Sequence, residues 1–173
     1  MQIRVLDVNQ KPIFTSGFIG DKNINEGDTL RIKVKAEDPD STFPKLGLQI
    51  NPSGTKNYTF VDSGNGAGVF TFASGFKQAG TYFILFNTVD AVYPKDSTFF
   101  FPIIRIIVFN VNRAPEISPI GNKSVTEGET LAVTITAVDT FDNTIPTLAA
   151  VNLPKNSSFV NNGNGTGKFS FKP

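Results

Sequence analysis

The chain has 173 residues and carries 16 lysine and arginine residues against 15 aspartate and glutamate residues, for a net charge of +1. This balance gives no electrostatic footprint for nucleic acid or an anionic membrane surface, so neither partner is expected. The sequence has no histidine and no cysteine. It therefore excludes a Ser-His-Asp triad, a thiol nucleophile, a disulfide framework and an imidazole metal site. A metal site would have to use oxygen ligands, which favours calcium or magnesium.

The alternation of apolar and polar residues predicts strands throughout the chain. In chain order, alternating segments cover Leu30–Ala36 and Leu131–Ala137, and Thr81–Val89 is a further long predicted strand. Period-two alternation is typical of half-buried strands. The most apolar run, Phe99–Phe109, is shorter than the roughly 20 residues that span a bilayer, so we interpret it as a buried strand and expect no membrane insertion. No long segment has helical periodicity, and the fold class predicted is an all-β sandwich.

Two Gly-rich segments lie between predicted strands. Gly64-Asn65-Gly66 and Gly163-Asn164-Gly165 each separate two β-rich runs. Asn-Gly pairs supply the positive φ angles of a tight hairpin, so both segments are expected to be hairpin turns. They lack the Lys-Ser/Thr and the following helix of a phosphate-binding loop.

The sequence contains an internal repeat. Asn25–Leu30 is answered 101 positions later by Thr126–Leu131. Phe60–Phe72 is answered 99 positions later by Phe159–Phe171, without a gap and with 8 of 13 residues identical. The repeat is about 100 residues long, which is the size of one sandwich domain.

The register of the repeat predicts the domain organisation. Residues 1–10 are expected to be the last strand of a preceding repeat, 11–112 a complete sandwich, and 113–173 the first part of a truncated second repeat. A truncated sandwich exposes its core and an open sheet edge. We therefore expect a homo-oligomer or a strand swap, in which the segment Gln2–Val8 pairs with a neighbouring molecule.

The segment VNRAPEISPIGNKSVTEGETLAVTITAVDTFD resembles the start of a cadherin-like or dystroglycan-type Ig-fold repeat, and VNLPKNSSFVNNGNGTGKFSFKP resembles an Ig-like domain pattern. Such repeats occur in large surface and secreted proteins of bacteria and archaea. The resemblance implies tandem Ig-like or cadherin-like β-sandwich repeats, an extracellular or cell-surface location, and neighbouring repeats as partners.

The resemblance also implies calcium at the junctions between repeats. The family's ligand positions fall on Asp7, Asn9, Asp38, Asp40, Glu26, Asn110, Asn112 and Asp139, and Asp142 is a further candidate. Calcium takes six to eight oxygen ligands, and carboxylates from two domains would stiffen the hinge. Gln10 and Arg113 stand where the family motif has its second Asp. This departure leaves open the alternative that the acids cap turns.

Two functions are compatible with these features. The first is a non-enzymatic structural or adhesive module, acting as a spacer or a protein-interaction unit, because no nucleophile–base pair with a supporting third group can be assembled. The alternative is a carbohydrate-binding accessory module of an extracellular enzyme. That function would need exposed aromatic faces, and the sequence offers Tyr58 and Tyr93 in predicted loops but no tryptophan.

Overall fold

The protein is built from β-strands. A computed structural model describes residues 1–6, 8–100 and 102–173, and these contain no helix, so none that could cross a membrane. The strands in the described residues are β1 (Ile13–Phe14), β2 (Lys22–Asn25), β3 (Thr29–Glu37), β4 (Lys45–Asn51), β5 (Tyr58–Asp62), β6 (Ala67–Ala73), β7 (Gly80–Val89), β8 (Ser97–Phe99), β9 (Ile104–Phe109), β10 (Glu116–Ile117), β11 (Leu131–Val138), β12 (Ser157–Asn161) and β13 (Thr166–Phe171).

The strands belong to two compact units. Unit 1 comprises Met1–Val111 and contains β1 to β9, and unit 2 comprises Asn112–Pro173 and contains β10 to β13.

Unit 1 is an Ig-like sandwich of two sheets. One sheet has the strand order β1-β3-β6-β5. The other has the order β2-β9-β7-β4, and β8 pairs with the C-terminal end of β7. With β1, β3, β4, β5, β6, β7 and β9 lettered A to G, these correspond to the ABED and GFC sheets of an immunoglobulin domain, and β2 is an added strand beside β9. The β2–β9 pair is parallel, whereas the other strand pairs of unit 1 are antiparallel.

The core of unit 1 is rich in phenylalanine. Alternation places the apolar side chains of both sheets inward, where Phe70, Phe72 and Phe86 are fully buried. The rings of Phe70 and Phe86 meet edge to face across the two sheets, with their centroids 6.4 Å apart. Large aromatic side chains supply the buried apolar area that stabilises such a sandwich.

The predicted strand over 99–109 is two strands, β8 and β9, in the structure. Phe100 still pairs with β7 through its N–H, which donates to the Phe86 carbonyl at 2.9 Å. Pro102 has no N–H to offer a sheet, so it is expected to interrupt pairing here. Phe101 lies outside the described residues.

Unit 2 has a sheet that matches the first sheet of unit 1. Its order, β10-β11-β13-β12, repeats β1-β3-β6-β5. The register is the same as well: Ile32 is paired with Phe70 in unit 1, and Val133 is paired with Phe169 in unit 2. Among the described residues of unit 2, no second sheet packs on this one.

Both Gly-Asn-Gly segments form the expected hairpin loops. The loop of unit 1 is closed by the Ser63 N–H, which donates to the Ala67 carbonyl at 2.9 Å, and the loop of unit 2 is closed in the same way. The positive φ angles lie on the glycines of these loops, and not on their asparagines; those of Gly64 and Gly66 are 73° and 76°. A side chain at Gly66 would also collide with the Ala36 carbonyl oxygen, so the position requires glycine.

The N-terminal residues form no strand where the structure describes them. Residues 1–6 and 8 have no strand assignment, and most of them are exposed. A strand needs a neighbouring edge to pair with, so the expected role of residues 1–10 as the last strand of a preceding repeat stays a prediction.

Candidate functional site

The segment before β1 connects the loop that contains Asp96 with the loop that contains Asp40. The Asn9 side-chain amide donates to Asp96 Oδ2 at 2.9 Å. The backbone N–H of the next residue, Gln10, donates to Asp40 Oδ2. Asn9 and Asp40, two of the predicted calcium ligands, are therefore held at this end of unit 1 by hydrogen bonds. Asp7 lies outside the described residues.

Asp38 caps the loop that follows β3. Its side chain is only 8% exposed, and it accepts hydrogen bonds from the Asp40 N–H at 2.9 Å and from the Thr42 hydroxyl at 2.7 Å. This arrangement is an Asx-type cap, because the carboxylate replaces a backbone acceptor within a turn. It matches the alternative in which the acids cap turns.

Asp90 and Asp96 were not predicted as site residues. They flank the connection between β7 and β8, and the Asp90 N–H donates to the Asp96 carbonyl at 3.0 Å. An acidic residue directly after a long, β-rich predicted strand, with a second one six positions on, is the signal that could have found them.

Asp90 is almost fully buried. It is 2% exposed, and its Oδ1 accepts the N–H groups of Val92 at 2.7 Å and Tyr93 at 3.0 Å. Its Oδ2 has no hydrogen-bond partner among the described residues. Burial opposes ionisation, but the N–H groups of Tyr93 and Val92 and the nearby amide of Asn9 outweigh it and lower the pKa of Asp90.

Glu26 occupies the opposite end of unit 1. It is 5% exposed, and its Oε1 accepts the N–H groups of Gln78 at 2.8 Å and Ala79 at 2.7 Å. Its Oε2 accepts the N–H of Val111 at 3.3 Å. The carboxylate thus ties the entry to β7 and the segment after β9 to the end of β2. These contacts occupy oxygens that were predicted to bind calcium.

A tyrosine corner lies beside Glu26. The Tyr82 hydroxyl donates to the Gln78 carbonyl, four residues earlier, at 2.8 Å. A tyrosine near the start of strand F, here β7, whose hydroxyl donates to a backbone carbonyl a few residues earlier is a hallmark of Ig domains. Burial, and then the charge of Glu26, raise the pKa of Tyr82.

In unit 2 the acids cap one loop. Asp139 accepts hydrogen bonds from the Asp142 N–H at 3.0 Å and from the Thr144 hydroxyl at 2.9 Å. The Asp142 N–H bond comes first among the causes that lower the pKa of Asp139, against a smaller effect of burial. Asp142 in turn accepts the Arg113 N–H at 2.7 Å, and the Arg113 guanidinium lies 4.5 Å from the centre of the Phe141 ring.

No group of three or more acidic side chains in the described part of the chain is arranged to hold a metal ion. Asn110 and Asn112, the remaining predicted ligands, are exposed, and the Asn112 amide reaches only the neighbouring Arg113 carbonyl at 3.5 Å. Calcium at either junction therefore stays a prediction.

The two candidate sugar-binding tyrosines do not share a surface. Tyr58 begins β5, and its ring packs against Phe70 with centroids 6.0 Å apart. Tyr93 is 53% exposed and lies beyond the far end of β7. Tyr58 is paired with Phe72, and the Phe72 ring lies 5.1 Å from that of Tyr82 near the start of β7. Tyr93 lies beyond the last residue of β7, so the two rings are at opposite ends of the sandwich. This placement disfavours a carbohydrate platform.

Comparison with protein-family models and with curated proteins finds no match. Among solved structures, the chain is similar to the titin M3 domain, with a TM-score of 0.44 and 13% identity over 58% of this chain and 98% of that one. It is also similar to the titin Z1Z2 domains in complex with telethonin, with a TM-score of 0.45 and 12% identity over 95% and 83% of the two chains. An endo-fucoidan hydrolase of glycoside hydrolase family 107 gives a TM-score of 0.44 and 18% identity over 94% of this chain and 24% of the enzyme. The strand order of unit 1, rather than these similarities, assigns the Ig-like fold.

Proposed function

We propose that the chain is a non-catalytic structural module of Ig-like repeats, which serves as a spacer and protein-interaction unit of a cell-surface or secreted protein. The observation that carries the proposal is the same four-stranded sheet, in the same register, built twice in one chain. Repetition of one fold lengthens a protein, and each copy contributes its own stability. We include in this proposal that the repeats are of the cadherin-like type.

The pairing of β2 with β9 suits a load-bearing role. The two strands are parallel, and they lie near the N-terminal and C-terminal ends of the sandwich. A pull on the two ends would slide these strands past each other and load all their hydrogen bonds together. Antiparallel strands pulled apart from one end would instead release their bonds one at a time.

A proline substitution with a matched control tests this role. The Glu26 N–H donates to the Phe109 carbonyl at 2.9 Å, whereas the Asn25 N–H donates to Asp28 Oδ2 at 2.9 Å, away from β9. Alternation along the strand therefore directs the Lys22 N–H toward β9 and the Asn23 N–H away from it. Proline removes the N–H at either position and fixes φ in the same way.

In single-molecule force spectroscopy, Lys22→Pro should lower the force at which unit 1 unfolds more than Asn23→Pro does. If the two variants unfold at the same force, the β2–β9 pair carries no tension and the spacer proposal loses its mechanical support. Calorimetry of both variants separates this effect from a general loss of stability.

Calcium binding at the N-terminal end of unit 1 is a second candidate function. The buried Asp90 Oδ2 favours it, because a buried carboxylate oxygen without a hydrogen-bond partner among the described residues is rare in proteins. Asp96 would add carboxylate oxygens on that side, and Asn9, whose amide N–H₂ now donates to Asp96, would add its carbonyl oxygen after a rotation of the amide; these ligand types suit calcium. A calcium titration followed by the thermal unfolding of unit 1 tests this candidate.

A further inference from the structure

Strand β4 leaves one edge of the second sheet of unit 1 open. It is the last strand of the order β2-β9-β7-β4 and, with 7 residues, the longest edge strand of this unit. The other edge strands, β1, β2, β5 and β8, have 2, 4, 5 and 3 residues. An open edge presents unpaired N–H and carbonyl groups, to which another strand can pair.

The unpaired groups of this edge belong to alternate residues of β4. The Leu46 N–H donates to Asp62 Oδ2 of β5 at 3.0 Å, so the main-chain groups of Leu46 point away from β7. Because the direction alternates along a strand, those of Leu48 and Ile50 point the same way. Within the described part of the chain, no hydrogen bond is formed to Leu48 or Ile50 on that side. The N–H and carbonyl groups of these two residues are therefore free to pair.

The pairing of β7 independently gives the same direction. The Phe100 N–H donates to the Phe86 carbonyl, so the main-chain groups of Phe86 face the side of β8 and those of its neighbour Asn87 face β4. Asn87 is paired with Gly47, whose main-chain groups therefore point to β7. Those of the next residue, Leu48, must then point outward.

Both ends of the free stretch are closed. At one end, Asp62 already occupies the Leu46 N–H. At the other end, Pro52 has no N–H, and its carbonyl accepts the Thr55 N–H at 3.3 Å and the Thr55 hydroxyl at 2.6 Å. A fully hydrogen-bonded pair can therefore form only at the two residues that flank Gln49.

We propose that β4 pairs antiparallel with β4 of a second copy of this chain, around a two-fold axis at Gln49. In that register Leu48 lies opposite Ile50 of the second copy, and each N–H meets a carbonyl in both directions. The pattern of free groups is self-complementary, as a two-fold interface requires. This inference rests on the proposed role as a protein-interaction unit, and it names the partner as a second copy.

The side chains and charges fit the same register. Residues 46–51 carry neither a charge nor a proline, the usual devices that keep edge strands from pairing. The one charge of the strand, Lys45, falls opposite the neutral Ser53 of the second copy, so no like charges meet. Gln49 is exposed and would lie opposite its own equivalent, where two amide groups can hydrogen-bond.

A charge swap at Gln49 tests the register. Gln49→Lys and Gln49→Glu each place like charges directly opposite each other, so each should raise the dissociation constant of the dimer about tenfold or more in sedimentation equilibrium. An equimolar mixture of the two variants should associate again, because opposite charges then meet. This rescue also controls for folding, since a misfolded variant would not recover in the mixture.

Three results would overturn the proposal. The first is an unmodified chain that stays monomeric up to millimolar concentration. The second is an equal dissociation constant for the parent and both variants, which would place the contact elsewhere. The third is a mixture that associates no more tightly than either variant alone.

Residue-resolved hydrogen exchange identifies the edge that pairs. The amides of Leu48 and Ile50 should exchange about tenfold more slowly in the dimer than in the monomer. Those of Gly47 and Gln49 already face β7 and should not respond, which gives an internal control on the same strand. Slowing at residues 2–8 or in unit 2, without slowing in β4, would assign the contact to those residues and overturn the proposal.

The dimer and the spacer role can fail separately. Strands β4 and β2 are opposite edges of the same sheet, so the variants at Gln49 leave the β2–β9 pair intact. A missing dimer leaves the pulling experiment unaffected. Equal unfolding forces for Lys22→Pro and Asn23→Pro would likewise leave the test of β4 unaffected.

Discussion

The buried carboxylate of Glu26 accepts three backbone N–H groups, whereas Glu127, which follows it by 101 positions in the repeat, is exposed. The two residues begin from the same local sequence, Glu-Gly followed by an acid. Their surroundings differ because the donors to Glu26 come from the connection before β7 and from the segment after β9. Unit 2 has no counterpart of either element among its described residues.

Glu26→Gln should lower the free energy of unfolding of unit 1 by about 1–3 kcal/mol, because the new amide group faces a backbone N–H that needs an acceptor. Glu127→Gln is the matched control and should change it by less than about 0.5 kcal/mol. Denaturant unfolding followed by far-UV circular dichroism measures both. Equal effects would mean that the buried contacts of Glu26 add nothing.

Tyr82→Phe should cost unit 1 about 0.5–1.5 kcal/mol, since it removes the hydrogen bond to the Gln78 carbonyl and leaves the ring in place. Tyr93→Phe alters an exposed ring and serves as the control. Thermal unfolding of the two variants should separate them clearly, and similar transitions would contradict the tyrosine corner.

The raised pKa of Tyr82 gives a pH dependence. The folded state holds this proton more tightly than the unfolded state, so the contribution of Tyr82 is complete below its ordinary pKa of 10.0 and is lost as pH rises through the folded value. Above pH 10, the stability of the parent should therefore fall more steeply than that of Tyr82→Phe. Parallel curves would show that Tyr82 titrates normally.

Asp90 gives the opposite dependence on the acid side. Its lowered pKa means that its stabilising contribution is present above the ordinary value of 3.8 and is lost as pH falls through the folded value. Asp90→Asn should flatten the decline in stability below about pH 4, because the substituted side chain cannot take up a proton there. The free energy of unfolding of the parent and of the variant should be measured by chemical denaturation between about pH 2 and pH 6, a range that brackets the ordinary pKa of carboxyl groups.

Calcium should raise the thermal transition of unit 1 if the second candidate function is correct. At 100 times its dissociation constant, the ion would add about 2.7 kcal/mol. Asp90→Asn should abolish the shift, whereas Asp139→Asn, which changes a similar loop cap in unit 2, should preserve it. A transition that does not move at millimolar calcium rules out the metal site and leaves the spacer proposal in place.

Gly68→Ala should destabilise unit 1 by about 1–3 kcal/mol. An added Cβ at Gly68 would lie 2.7 Å from the Phe60 ring, which is packed against Phe86. Gly167→Ala creates the same collision with Phe159, but that ring lies on the face of the unit 2 sheet that no second sheet covers among the described residues, so it can move. Unit 2 should therefore tolerate the substitution better, as measured by the separate unfolding of each unit.

The sequence was sufficient for features that depend on near neighbours. The alternation in β3 and β11 and the Gly-Asn-Gly hairpins are local patterns, and the structure has them where they were predicted. The division of the run from Phe99 to Phe109 was missed because the apolar pattern outweighed the signal of Pro102. The roles of Glu26 and Asp90 depend on N–H donors whose positions relative to these acids only the folded loops define.

The phenylalanine core of unit 1 also determines how the protein responds to its chemical surroundings. Many immunoglobulin domains join their two sheets with a disulfide, but this chain has no cysteine, and aromatic rings link the sheets instead. Thiol reductants and oxidants therefore have no covalent bond between the sheets to act on. The folding of unit 1 therefore does not depend on the thiol–disulfide redox state of its surroundings.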